Sequence, residues 1–559
     1  MSAIGRLLVL AAIPLRGGEA TGEESGGEPF LSAVRRFGDQ VLEYGRDRYG
    51  KPTPLFVDGL DVATREPGAW KGAVGRPWVL CNLANQQGLF RTLDGLTALT
   101  GDPRYRQAAL DALRHAFDHL RYGTEHNGGL LVWGGHLAYN ATDDVPAGNP
   151  AGAGRIHELK CVFPHYALMW EANPRATREI VENMWSAHVI DWATLDFNRH
   201  GDPRPPGRLW DHEFRGGDVF FWGKGLTFHN AGSDFYFAAG MLAHLSGATA
   251  PLTWASRLSE RYARTRDPRT GLEGFQFSQC ATAWCDDVGK VLGDRAQYQY
   301  GDDFPGHRVV EGTLFPCYDD LPQVGPQVGR LLLGEVLGER GRDFTRRAVD
   351  QLVAWGKAAY RRKDNAMIPM LTDGTSMEGY RCRKDGYFGP RGRVLQAGHP
   401  GSQHLWVYAL GFRCTREAFL WEMARNIVGG NGWGDIGETP ASEPELRIPE
   451  DRSDPHLLVA LLELHRGSGK PAFLRQAEVI GRRMLADRVQ DGWFVPSRRH
   501  VHTRLANDES QALLQLAAAT VGKPGAVPAF TGAEPFFHAE YGGSTGRVYD
   551  TAEIYDRTR

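Results

Sequence analysis

One unit recurs along this chain and restricts what it can become: an apolar helical stretch, a short glycine-containing turn, a second helical stretch, then a glycine-rich loop. It is clearest at 85–120, NQQGLFRTLDGLTALTGDPRYRQAALDALRHAFDHL, and returns at 231–275, 328–371 and 454–496. Within each copy the apolar residues recur at three- and four-residue steps, the period of a helix with one buried face. The breaks TGD, SGA, ERG and GSG end the first helix of each pair. Repeated helical hairpins either stack into an open solenoid or close into a ring. Here the copies are irregularly spaced and separated by long loops that hold the unusual residues. That favours an all-α dominated fold, a closed (α/α) toroid with long rim loops and short strands, over an irregular helical domain.

The remaining segments divide the chain. Residues 1–28 hold an early arginine, the apolar run LLVLAAIPL and a Gly/Glu-rich stretch, the pattern of a signal peptide with a flexible N-terminus. The run is too short to span a bilayer, and no other segment could cross one. A secreted or periplasmic protein is expected, or a cytoplasmic one if the segment is not a signal. Residues 29–523 form the toroid and 524–559 an irregular, strand-bearing tail packed on it. A net charge of −3 over 559 residues argues against a nucleic-acid binder. Aromatics at 11%, with 15 Trp, suit a cleft that stacks flat apolar faces. The seven cysteines are scattered and form no C-x-x-C pair; Cys280 and Cys285 are the closest two.

Three places carry residues fit for chemistry. In GGLLVWGGHLAYN, Trp133 and His136 lie in a glycine-flanked stretch where backbone can approach another group. Glu158 follows 22 residues later in GRIHELKCVF, beside His157, at an expected helix start. In LDFNRHGDP, Arg199 and His200 are adjacent; an imidazole beside a guanidinium tends to stay neutral, which suits a metal ligand. Two histidines and a carboxylate make a reasonable shell for a divalent transition metal with positions left for substrate oxygens. The plain alternatives are a surface turn at GDP and a chance triple among 19 histidines.

This order of residues, His136, then Glu158, then the pair Arg199–His200, resembles the metal and catalytic set of the family 2 pectate lyases, most clearly over residues 80–240. The resemblance implies a toroid of about seven helical hairpins and cleavage of polygalacturonate by β-elimination. It implies an arginine base and a transition metal, typically manganese. His136, Glu158 and His200 would be ligands and Arg199 the base, with His157 an alternative to Glu158. Elimination removes the C5 proton beside a uronate carboxylate. A metal on that carboxylate acts as a Lewis acid, and a guanidinium adds electrostatic stabilisation as charge develops. Because arginine is normally protonated, such a base implies an alkaline optimum.

Further polar and aromatic residues at loop–helix junctions are candidates for the groove that takes an acidic polysaccharide: Trp133, His157, Trp222, Lys224, His229, His399 and Arg504, with His404 and Trp406 close by. Helix caps or packed aromatics would explain each equally well. Asp94, Asp234 and Asp508, near helix starts, read as acceptors for helix N-termini. Competing functions are a glycoside hydrolase on uronyl oligosaccharides, which needs paired carboxylates such as Asp94 and Asp234, and a lyase for glucuronan or a glycosaminoglycan. A non-catalytic carbohydrate-binding protein is the remaining alternative.

Overall fold

The computed structural model describes residues 27–559 except 69, 72–76, 124–128, 149–155, 218, 279–282, 287–288, 293, 317–320, 533–535 and 542–546. The expected leader at 1–28, save its last two residues, and Cys280 of the Cys280–Cys285 pair lie outside the described residues. In chain order the helices are α1 (Glu28–Tyr44), α2 (Gln87–Thr100), α3 (Pro103–His119), α4 (Tyr166–Ala172), α5 (Pro174–His188), α6 (His229–Ser246), α7 (Ala250–Ala263), α8 (Arg295–Tyr300), α9 (Gly325–Leu337), α10 (Arg342–Ala354), α11 (Ser402–Thr415), α12 (Ala418–Gly430), α13 (Pro455–Ser468), α14 (Pro471–Asp487), α15 (Asp508–Thr520) and α16 (Thr551–Tyr555).

The hairpin turns are built from local chemistry the sequence repeats. Gly101, Gly247 and Gly469 end α2, α6 and α13 in the left-handed conformation, with φ of 76°, 75° and 74°. Proline then opens the returning helix at Pro103 and Pro471, where its missing N–H is not needed. Asp102, Asn173, Asp454 and Asn507 cap α3, α5, α13 and α15 by accepting backbone N–H bonds.

These hairpins form a ring. The inner helices α4, α6, α9, α11, α13 and α15 pack on one another in sequence, and α15 packs on α2. Between α2 and α4 the link is made by side chains: Gln87 Oε1 accepts from His165 N at 2.7 Å, and Asp94 Oδ2 lies 2.8 Å from His165 Nε2. The outer layer is α3, α5, α7, α10, α12 and α14, and α1 supplies the outer partner of α15. Seven hairpins result among the described residues, the last assembled from the two ends of the chain. Burial follows the layers. Residues 229–243 of α6 and 404–412 of α11 are buried without a break, whereas α1 and α14 bury one stripe each.

Long connections run from the end of one outer helix to the start of the next inner one, so they collect at a single rim. There they form short antiparallel pairs, including Leu80–Cys81 with Leu137–Asn140 and Val145–Gly148, and Val189–Asp191 with Asp196–Phe197. The tail returns to this rim. Phe537 packs edge-on against Trp70 at 5.1 Å, and with Leu80, Ala138, Ile554 and Tyr555 they make a small separate core. No helix among the described residues is long and apolar enough to cross a membrane.

Candidate active site

Three rim segments converge. Backbone bonds pair His157 with Gly201 in both directions, at 3.1 and 2.9 Å, and Gly135 N donates to the Glu158 carbonyl at 2.8 Å. Glu158 is thereby held between the segments bearing His136 and His200. The close approach needs glycine: a Cβ on Gly134, whose φ is 119°, would stand 2.5 Å from the Glu158 carbonyl oxygen. Glu158 does not start a helix. Phe163 precedes Pro164, which disfavours helical backbone, and α4 begins only at Tyr166.

The side chains of His136, Glu158 and His200 offer three ligand atoms within 4.8 Å of one another. Glu158 Oε2 lies 2.9 Å from His136 Nε2 and 3.4 Å from Lys160 Nζ, while Oε1 is 3.7 Å from His200 Nε2 and ion-paired with Arg199. Burial alone would raise the Glu158 carboxyl, but Arg199, Lys160 and the two histidines hold it well below the usual carboxylate range. Burial, then Arg199, push His200 down to about 3 against the pull of Glu158. The cluster thus holds an ionised carboxylate and a neutral imidazole, the protonation states a metal needs. The buried His200 Nε2 completes no hydrogen bond, and Glu158 Oε2 has only its ion-pair contacts with His136 and Lys160. Buried polar atoms left so are costly, and a divalent cation among the three residues would satisfy both; the donor set fits such an ion.

Arg199 is fixed from three sides. Its N–H donates to the Leu226 carbonyl at 2.9 Å, its guanidinium pairs with Glu158, and it lies 4.7 Å over the Phe228 ring. The other face of this region carries Arg295, 5.5 Å from the same ring and 3.7 Å over Tyr387.

Beneath the cluster runs a buried chain. Trp133 Nε1 donates to His157 Nε2 at 3.0 Å, His157 Nδ1 meets His188 Nε2 at 2.7 Å, and His188 Nδ1 meets the Asn198 carbonyl at 2.6 Å. Trp133 can only donate, so one tautomer follows for each ring: His157 donates to His188, which donates to Asn198. Burial, reinforced by His188, holds His157 well below the ordinary imidazole range, and burial lowers His188 to about 4. Trp133 and His157 are both fully buried, so they support the cluster and do not line a groove.

The other groove candidates are dispersed. Trp222 and Lys224 are exposed on the segment that leads to Leu226, where Asp196 accepts from Lys224 N at 2.7 Å and Gly225 N at 3.2 Å. His229 is buried, stacked on Tyr262 at 4.0 Å and 3.6 Å from Glu273. His399 is exposed just before α11, against the Asn365 carbonyl. Arg504 pairs with Asp556 at 2.6 Å. His404 and Trp406 lie inside α11, both buried. Asp94 sits within α2, bound to His165 and 3.4 Å from Arg106, and Asp234 within α6 accepts from Phe163 N at 2.7 Å. Neither caps its own helix. Asp508 opens α15, 3.7 Å from His456.

Sequence reasoning missed Lys160, although it stands two residues after Glu158, and it gave the tail packed on the toroid no place at the cluster. Lys160 lies 4.1 Å over Phe536, and His538 N donates to the Gly135 carbonyl at 2.8 Å. His136 Nδ1 faces the His538 carbonyl at 3.4 Å, which leaves Nε2 for Glu158. These contacts span some 400 residues of sequence, and no local pattern announces them.

Compared with known proteins, residues 53–540 match the family described as periplasmic pectate lyase. A pectate disaccharide-lyase of Dickeya dadantii (strain 3937) is 28% identical over 543 residues, 94% of this chain and 96% of that protein. Among solved structures, a cellobiose 2-epimerase from Bacillus thermoamylovorans aligns with a TM-score of 0.43 at 8% identity, covering 88% of this chain and 100% of that one. A family 76 α-mannanase of Bacteroides thetaiotaomicron aligns with a TM-score of 0.40 at 8% identity, covering 88% and 96%.

Proposed function

The chain belongs to the periplasmic pectate lyase family and is a polysaccharide lyase acting on pectate, and from that premise we propose that Arg199 is the base and that His136, Glu158 and His200 hold a divalent transition metal, manganese by the family resemblance. The observation that carries this reading is the convergence of the three ligand atoms around a buried, ionised carboxylate with Arg199 in contact. When bound, the metal supplies Lewis-acid stabilisation of the uronate carboxylate beside the C5 proton.

The chain's own residues do the rest. Arg199 takes the C5 proton on its guanidine nitrogen. The C–H electrons form the C4–C5 double bond, the C4–O bond breaks, and the departing oxygen takes a proton from solvent. Arg199 pairs with Glu158; a Glu158 engaged as ligand would release the guanidine towards the substrate. The Phe228 ring keeps the guanidinium oriented through that change. Lys160 adds a fixed positive charge beside Glu158, which favours a bound anion, and a base that is ordinarily protonated calls for alkaline conditions. Activity therefore rises towards alkaline pH.

Trp222 and Lys224 belong to the groove in this reading, and His229, His399 and Arg504 contribute from the rim or through packing. The family's description suits an exported enzyme. A hydrolase would need two carboxylates facing one pocket, and Asp94 and Asp234 are each committed to packing contacts.

The test is the ultraviolet absorbance of the unsaturated product on polygalacturonate at alkaline pH, with and without chelator and manganese. Absorbance should rise for the wild type, vanish with chelator, return with manganese and fall by at least about 10²-fold in Arg199→Ala. Chelator-resistant activity, or an active Arg199→Ala, would overturn the assignment.

A further inference from the structure

Beside the segment that carries Arg199 lies a hollow of about 460 Å³ that the lyase chemistry does not use. Two of the few exposed large apolar side chains of the described residues meet there, Trp222 at 65% exposure and Ile190 at 40%. Apolar surface left open in this way marks a binding site more often than a packing fault. The Arg308 guanidinium lies 3.8 Å over the Trp222 ring and donates to the Phe221 carbonyl at 3.3 Å. No carboxylate pairs with Arg308 or with the exposed Lys224 among the described residues. The two acids lining the hollow are turned inward. Asp196 accepts the backbone N–H groups of Lys224 and Gly225, and Asp191 accepts Ala193 N and the Thr194 hydroxyl, both at 2.9 Å.

A flat, exposed aromatic face flanked by two unpaired cations matches one kind of ligand, a sugar ring that bears a carboxylate. The sugar's C–H face covers the indole on the side that Arg308 leaves open, and the two cations draw the carboxylate. Trp222 stands four residues before Leu226, whose carbonyl holds Arg199 N. That is at most about 14 Å of chain, within reach of the same polymer strand, and none of the residues that line the hollow belongs to the cluster of His136, Glu158, Arg199 and His200. We propose that Trp222 and Arg308, with Lys224, form a distal subsite that selects a uronate residue of the substrate away from the point of cleavage. The proposal rests on the pectate lyase reading above and adds Arg308 as a specificity-determining residue.

Calorimetric binding of hexagalacturonate and digalacturonate to the wild type, Trp222→Ala and Arg308→Gln tests it independently of turnover. Each substitution should weaken hexagalacturonate binding about tenfold and leave digalacturonate unchanged, the shorter ligand being held at the cleavage site. In lyase assays KM for the polymer should rise by the same factor at constant kcat. In calorimetry, methyl-esterified hexagalacturonate, whose carboxylate charge is gone, should bind Arg308→Gln and the wild type equally. Hexagalacturonate affinities equal to wild type in both variants would overturn the subsite. Failure of the lyase reading has a different signature: the unsaturated product never forms, whatever the binding data show.

Discussion

His157 and His188 face each other across 2.7 Å between ring nitrogens, in a chain that starts at Trp133 and ends on the Asn198 carbonyl. His157 precedes Glu158 and Asn198 precedes Arg199. The pair therefore ties the ligand segment to the base segment, alongside the backbone bonds between His157 and Gly201. Gly201 makes room for it: a Cβ there would stand 2.4 Å from His188 Nε2. Gly201→Ala should push His188 off His157 and weaken manganese binding about 10–100-fold, the usual effect of losing an outer partner of a metal ligand. Calorimetry measures the affinity and circular dichroism checks the helices. Unchanged affinity in a folded variant would remove the pair from any role in positioning the cluster.

The tail makes a second support. Gly135 lies between the Glu158 carbonyl and the tail, and a Cβ on it would stand 2.6 Å from Phe536 Cε1. Gly135→Ala should cost about 1–3 kcal/mol by overpacking. Phe536→Ala removes the ring that seats Lys160 and should weaken metal binding. If the tail and the glycine loop press on each other, the double variant is more stable than the sum of the singles by about 0.5–3 kcal/mol. Denaturant melts of the four proteins measure this, and simple additivity would show that the tail only rests on the rim.

These two supports mark where the sequence stopped being legible. The toroid could be read because its turns are local: a left-handed glycine, then proline or a capping aspartate, three times over. His136, Glu158 and Arg199–His200 could be read because residue type and order carry metal chemistry, whatever the loops do. Glu158 was misread as a helix start because its apolar neighbours mimic one, and the Phe163-Pro164 step that delays α4 is a single-residue signal. The assembly of the seventh hairpin from α1 and α15, and the return of Phe536 and His538 to His136, depend on ring closure. No window of sequence holds both partners.

His404 gives the fold an acid-sensitive point away from the cluster. Buried in α11, it donates to the Pro322 carbonyl, and burial lowers it to about 4 from an ordinary 6.5. Between those values the unfolded chain holds a proton the folded one does not, so stability rises with pH across pH 4 to 6.5 and is lost as pH falls. By that difference His404 alone removes roughly 3 kcal/mol at the acid end. His404→Gln can still donate to Pro322 and carries no such proton. Its Tm should fall less than that of the wild type between pH 6.5 and 4; parallel Tm curves would place the acid sensitivity elsewhere.

Arg330 and Glu273 form the most deeply buried ion pair among the described residues, at 2.6 Å with side-chain exposures of 0% and 3%. Arg330 belongs to inner helix α9, yet it donates to the Ser259 carbonyl on outer helix α7 at 3.2 Å and to Gln327 at 3.0 Å. It ties two neighbouring hairpins together, and Glu273 also draws in Arg266 at 3.5 Å. Removing one partner strands a charge in low dielectric: Glu273→Leu or Arg330→Met should each cost about 3–5 kcal/mol. Replacing both leaves no stranded charge within the pair, though Arg266 loses one acceptor and keeps Asp350 at 3.1 Å. The double variant should therefore recover most of the loss in a denaturant melt. If it is as unstable as the worse single variant, the hydrogen bonds to Ser259 and Gln327, and not the pair's mutual charge, hold the two hairpins together.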